Sequence, residues 1–177
     1  MLFRSATIHG FAQTIVRMGD LDEQKQRYME MIDAASRQLA ELLDELGLAA
    51  RIKGGRYEPN VQPVDTLELA RAAAQELGED RVQADGTGAT VRVDVDATRR
   101  GVSALVQAAL RHGGLDQVEC KADGPALTIR PVTASSGPVL LGEDLRDLGA
   151  AVAVMLVDAL GGSVARDDDA VVVRLPQ

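Results

Sequence analysis

Tryptophan is absent from the 177 residues, and only two phenylalanines and two tyrosines are present. The core must therefore be built from Leu, Val, Ala, Ile and Met. The single cysteine, Cys120, excludes an intrachain disulfide framework and the usual cysteine zinc sites. It reads as a small buried hydrophobe inside "QVECKA", and a reducing, cytoplasmic compartment fits. No apolar run approaches the ~20 residues that a membrane span needs. The beginning, "MLFRSATIHGF", is broken by Arg4, Ser5 and His9 and does not resemble a secretory signal. Excess positive charge is missing too, since the net charge is −8. Residues 1–56 carry eight Lys/Arg and eight Asp/Glu, whereas residues 57–177 carry 11 and 19, so the second part holds all of the net charge. An acidic domain repels nucleic acid and polyphosphate unless a local patch overrides the field, and no nucleic-acid partner is expected.

What is present is periodicity. In "EQKQRYMEMIDAASRQLAELLDELGLAARI" the residues Tyr28, Ile32, Ala35, Leu39, Leu42, Leu46 and Ala49 alternate spacings of four and three, the seam of a helix packed in a bundle. Upstream, Ile8, Phe11, Ile15 and Met18 keep the same rhythm. Gly19 ends that run, and Asp20 is placed to cap the next helix. Two such helices make an antiparallel hairpin whose narrow seam needs a second copy, giving a four-helix bundle. Glycine, charge and proline in "RIKGGRYEPN" mark a linker.

Beyond it, "VQPVD" reads as a strand. "DTLELARAAAQELG" reads as a helix with Asp65 as its cap and Glu68 closing a capping box. "RVQA" and "ATVRVDV" are strands around a "DGTG" turn, and "DATRRGVSALVQAALRHGG" is a helix. "QVECKA" and "ALTIRP" form a hairpin over "DGP", and "SVAR" and "AVVVRL" form another over "DDD". The fold class is α+β: a helical hairpin, then an α/β sandwich with a mixed sheet and helices on one face.

The order of "LLDELGLAARIKGGR", the "PVD" strand, "DATRRGVSALVQAALRHGG" and "LGAAVAVMLVDALGGSV" resembles the catalytic core of bacterial sensor histidine kinases. The resemblance implies a dimerisation and phosphotransfer hairpin (residues 1–52), a linker (53–60) and a Bergerat-type ATPase domain (61–177). Four determinants of that chemistry are altered. Aligned through "ATIHGF", the phosphoacceptor position falls before Met1, and His9 is the one histidine on the hairpin. The magnesium-binding Asn of the family matches Ala108, whose methyl group cannot ligate a hard cation. No Asp precedes Gly137 in "VTASSGPVLLGEDL", which is also too short for an ATP lid. The G-x-G pair becomes Asp147 and Gly149. Gly149 keeps the turn, while the Asp147 carboxylate sits at the positive end of the helix dipole and repels phosphate.

These readings imply a homodimeric, degenerate histidine-kinase-like protein with no ATP, metal or other cofactor. Its expected partner is a response-regulator receiver domain or a sensor kinase. Two alternatives remain open: a histidine phosphotransferase acting through His9, and a sensor kinase core cut short at its N-terminus. His112 and Arg111 read as positive charge closing a helix C-terminus.

Overall fold

The computed structural model describes residues 10–11, 13–17 and 22–177. The chain divides into two units, residues 1–47 and 48–177. In the first, residues 13–17 are helical. Helix α1 (Glu23–Lys53) starts where the Asp22 carboxylate accepts a hydrogen bond from the Lys25 backbone N–H at 2.9 Å. Asp22 is thus the cap; Ile8, Met18, Gly19 and Asp20, assigned from sequence to the first helix and its turn, lie outside the described residues.

Helix α1 carries two adjoining stripes. Met29, Asp33, Ser36, Ala40, Leu43 and Gly47 form its less exposed side, with Asp33 and Ser36 buried. One position round the helix, Tyr28, Ile32, Ala35, Leu39, Leu42 and Leu46 are exposed, Leu39 at 54%. Phe11 and Ile15 are exposed as well. On the covered side Arg37 pairs with Asp33. Both line a cavity of about 230 Å³ together with Gln13, Val16, Arg17 and Glu30. The hairpin therefore turns polar groups inward and leaves its aliphatic seam outside.

The second unit opens with β1 (Val61–Asp65), α2 (Thr66–Leu77), β2 (Val82–Gly88) and β3 (Thr90–Asp94). Strands β1 and β3 pair antiparallel as a separate two-stranded sheet. Strand β2 belongs to a five-stranded sheet with β4 (Val118–Gly124), β5 (Ala126–Arg130), β7 (Ala170–Arg174) and β6 (Ser163–Asp167), in that order. The β2–β4 pair is parallel and the others are antiparallel. The "DGTG" segment is thus not a turn but the second half of β2. Gly86 lies opposite Ala122 with φ +108°, and any Cβ there would collide with the Ala122 carbonyl, so glycine serves close strand approach rather than chain reversal.

Thr66, fully buried, joins the two sheets. Its hydroxyl donates to the Gly124 carbonyl at 2.7 Å and accepts from the Ala89 N–H at 3.1 Å. Asp65 caps α2 through the Leu67 N–H at 2.7 Å. The Glu68 half of the expected capping box is not formed; the α2 start is capped by Asp65 alone.

Helices α3 (Val95–Gly113) and α5 (Leu148–Ala159), with the short α4 (Gly137–Leu140) between them, complete the unit. Alternation in the sheet puts Cys120, Ala122, Leu127, Ile129, Val171 and Val173 in the core with Leu69 and Leu105 from the helices, all essentially without solvent exposure. Burial pushes the Cys120 thiol up to about 12, so it stays protonated and apolar. Among the described residues no helix is long and apolar enough to cross a membrane.

Candidate functional site

The site positions named from the sequence fall on α3 (Ala108), in the connection after β5 and at the start of α5 (Asp147, Gly149). Ala108, on α3, has no solvent exposure and belongs to the apolar core with Leu105 and Ala109. The connection does not stand off as a lid: Val139 and Leu140 of α4 are fully buried in that core.

The residues before α4 are tied down by a serine–threonine knot. The Thr133 N–H donates to Ser136 Oγ at 3.0 Å and the Ser136 N–H donates to Thr133 Oγ1 at 3.2 Å. Ser135 Oγ donates to the carbonyl of His112 at 2.8 Å, and the Arg146 guanidinium donates to the Ser135 carbonyl at 3.1 Å. Arg146 also pairs with Asp144 at 2.7 Å. The segment read from sequence as too short for an ATP lid is thus stitched to the end of α3.

Asp147 closes the arrangement. It is the N-cap of α5, its Oδ1 accepting from the Ala150 N–H at 3.1 Å. Its Oδ2 lies 3.0 Å from His112 Nε2 and 3.4 Å from an Arg111 guanidinium nitrogen. The Asp147 and His112 side chains are only 11% and 16% exposed. One carboxylate therefore satisfies an orphan backbone donor of α5, faces the helix dipole favourably and meets the two basic residues that end α3.

The carboxylate placed at this helix start by sequence is found there. Gly149 differs from its expected role: it sits within the first turn of α5, and the positive φ of the connection, +70°, belongs to Gly142. The chain has already reversed before the helix begins, so Gly149 makes no turn. The partnership of Asp147 with Arg111 and His112 was missed, because the two basic residues already had a sufficient local explanation at a helix C-terminus. The signal available was an acidic residue at the start of one helix and two basic residues at the end of another. His9 lies outside the described residues.

No protein-family model matches the sequence, and no curated protein matches it. Solved structures do. The histidine kinase AdeS of Acinetobacter baumannii superposes with a TM-score of 0.66 at 14% identity, over 97% of this chain and 94% of that one. Full-length ShkA, solved in complex with AMPPNP, gives 0.71 at 17% identity, over 97% of this chain and 42% of that one. The ATP-binding domain of PrrB from Mycobacterium tuberculosis gives 0.52 at 21% identity, over 66% of this chain and 97% of that one. The fold is that of a sensor histidine kinase core, a helical hairpin followed by a Bergerat-like α/β domain.

Proposed function

We propose that the chain is a dimeric, histidine-kinase-like protein of two-component signalling that docks a response-regulator receiver domain or a sensor kinase without binding ATP. Residues 1–52 serve as the dimerisation hairpin, 53–60 as the connection, and 61–177 as a nucleotide-free scaffold. The observation that carries this reading is Asp147. A phosphate site at a helix N-terminus works through free backbone N–H groups and the helix dipole. Here the carboxylate already takes the Ala150 N–H and faces both neighbouring basic side chains, Arg111 and His112. A phosphate oxygen brought within ~4 Å of it would meet a repulsion on the order of 4 kcal/mol at an effective dielectric constant of ~20.

Ala108 supports the reading by offering no oxygen to magnesium, and Val139 and Leu140 by filling the interior with apolar side chains. The exposed stripe from Tyr28 to Leu46 supports dimerisation, because an aliphatic helix face of that length is ordinarily covered.

The test uses AMPPNP, the nucleotide analogue in the ShkA complex, with magnesium added. Calorimetry and thermal melting at millimolar ligand, which detects binding as weak as ~4 kcal/mol, should show neither heat nor a shift. Saturable binding would overturn the nucleotide-free reading and favour a nucleotide-binding kinase core. Isolated receiver domains should bind in the same preparation. Phosphoryl label passing from a phosphorylated receiver to the chain, and lost in His9→Gln, would replace the scaffold by a phosphotransferase.

A further inference from the structure

The connection after α1 has the glycine, charge and proline content of a flexible linker, yet two local devices fix it. The first is at the helix end. The Arg56 N–H donates to the Arg51 carbonyl at 2.9 Å and the Gly55 N–H to the Ile52 carbonyl at 3.1 Å, with Gly55 at φ +62°. This pair of bonds around a left-handed glycine is the Schellman motif, which satisfies the last carbonyls of the helix and sets the exit path of the chain.

The second device follows at once. The half-buried Tyr57 donates its hydroxyl to Asp94 Oδ2 at 2.9 Å, and the Asn60 backbone N–H reaches the same oxygen at 3.2 Å. The other oxygen, Asp94 Oδ1, caps α3 by accepting from the Ala97 N–H at 3.2 Å. Asp94 is also the last residue of β3, opposite Val61. One carboxylate thus gathers the connection, the end of the small sheet and the start of α3.

We propose that residues 54–60 form a rigid strap, pinned by Tyr57 to Asp94, that ties the last turn of α1 to the first turn of α3. Its consequence is mechanical. Helix α3 is held at its start by the strap, and at its other end His112 meets Asp147. A displacement of the end of α1 would therefore reach α3 directly instead of being lost in slack chain. The pin is a neutral donor on an ionised acceptor, a stronger bond than a neutral pair.

The test reads opening of the strap in the whole protein. Arg51, Lys53 and Arg56 are exposed and flank or lie within it, so limited trypsin digestion reports its local opening. Tyr57→Phe removes the pin alone. Asp94→Ser keeps an N-cap side chain but is too short to hold Tyr57, which separates pinning from capping. Both variants should be cut after Lys53 and Arg56 about tenfold faster, the change in a local equilibrium expected for one hydrogen bond to a charged acceptor, with the melting temperature of residues 61–177 unchanged. Unchanged cleavage in either variant would overturn the strap. So would faster cleavage that merely tracks a fall in melting temperature, since that reports global unfolding.

Discussion

In the α/β unit the large aliphatic side chains Leu69, Leu105, Leu127 and Ile129 have no solvent exposure, whereas in α1 Leu39 and Leu46 are more than half exposed and the buried positions go to Asp33 and Ser36. The two regions draw on the same aliphatic residues and differ in where the apolar stripe points. A sheet covered by helices on one face closes its own core. A pair of helices that turns Asp33, Ser36 and Ala40 inward leaves its strongest hydrophobic face without cover. The first region covers its own large aliphatic side chains; the second leaves exposed the face that the proposed dimer would cover.

The sharpest way to break this contrast is to change the exposed seam. Leu39→Glu with Leu42→Glu places unpaired charge in the proposed dimer interface, at a cost of several kcal/mol per dimer. Sedimentation should change from dimer to monomer while the melt of the α/β unit stays in place. Leu105→Ala should do the reverse, lowering stability by about 2–5 kcal/mol through a buried cavity and leaving the association state alone. An unaltered protein that sediments as a monomer at tens of micromolar, about the range of weak interfaces, would sink the contrast.

A smaller effect is expected at Asp147. Asp147→Ala removes the α5 cap and leaves the half-buried His112 without its carboxylate partner, a loss of about 1–3 kcal/mol. Asp147→Asn should recover part of the cap in the same melting experiment. Equal stability of all three proteins would show that the carboxylate contributes nothing to the domain.

The smallest effect separates the strap from both regions. Burial first, then the hydrogen bond and charge of Asp94, hold the Tyr57 phenol above its ordinary value of 10.0 in the folded chain. The unfolded chain ionises first, so this contribution is intact below pH 10 and is lost as the pH rises toward the folded value. The slope is at most about 1.4 kcal/mol per pH unit for one proton and is reduced by solvent screening of a partly exposed group. Alkaline denaturation of Tyr57→Phe should therefore be flatter above pH 10 than that of the unaltered chain, and parallel curves would count against the buried donor.

Much of the architecture was legible because it rests on local signals. Asp65 and Asp147 stand where an N-cap is required, the "DGP" and "DDD" reversals join antiparallel strands, and the four-and-three spacing of α1 marks its exposed seam. Signals with two physical meanings were read less well. "DGTG" has the composition of a turn, but Gly86 is needed for close approach to Ala122 in a parallel pair, a contact between segments far apart in sequence. Glu68 had the right spacing for a capping box, yet Asp65 alone caps α2, through the Leu67 N–H. The site divided in the same way. The position of Asp147 at a helix start could be read from its neighbours, whereas its contact with His112 spans 35 residues and depends on how α3 and α5 pack. The Tyr57–Asp94 bond, across 37 residues, left no periodic trace at all.

The offset of one residue between the two stripes of α1 makes the length of that helix a constraint in its own right. Each residue advances an α-helix by ~100°. One residue inserted after Arg37 would move Leu39, Leu42 and Leu46 into the inner positions now held by Ala40, Leu43 and Gly47. It would also bring Gln38, Glu41 and Glu45 to the outer face. Beyond Arg37 the hairpin would then hide its leucines and offer a partner polar side chains in their place, while Tyr28, Ile32 and Ala35 stayed outside. A deletion at the same point would instead drive Glu41 and Asp44 inward. Seven residues, close to two full turns, could be inserted with both faces preserved, so tolerance to insertion in α1 should follow the heptad rather than the number of residues added.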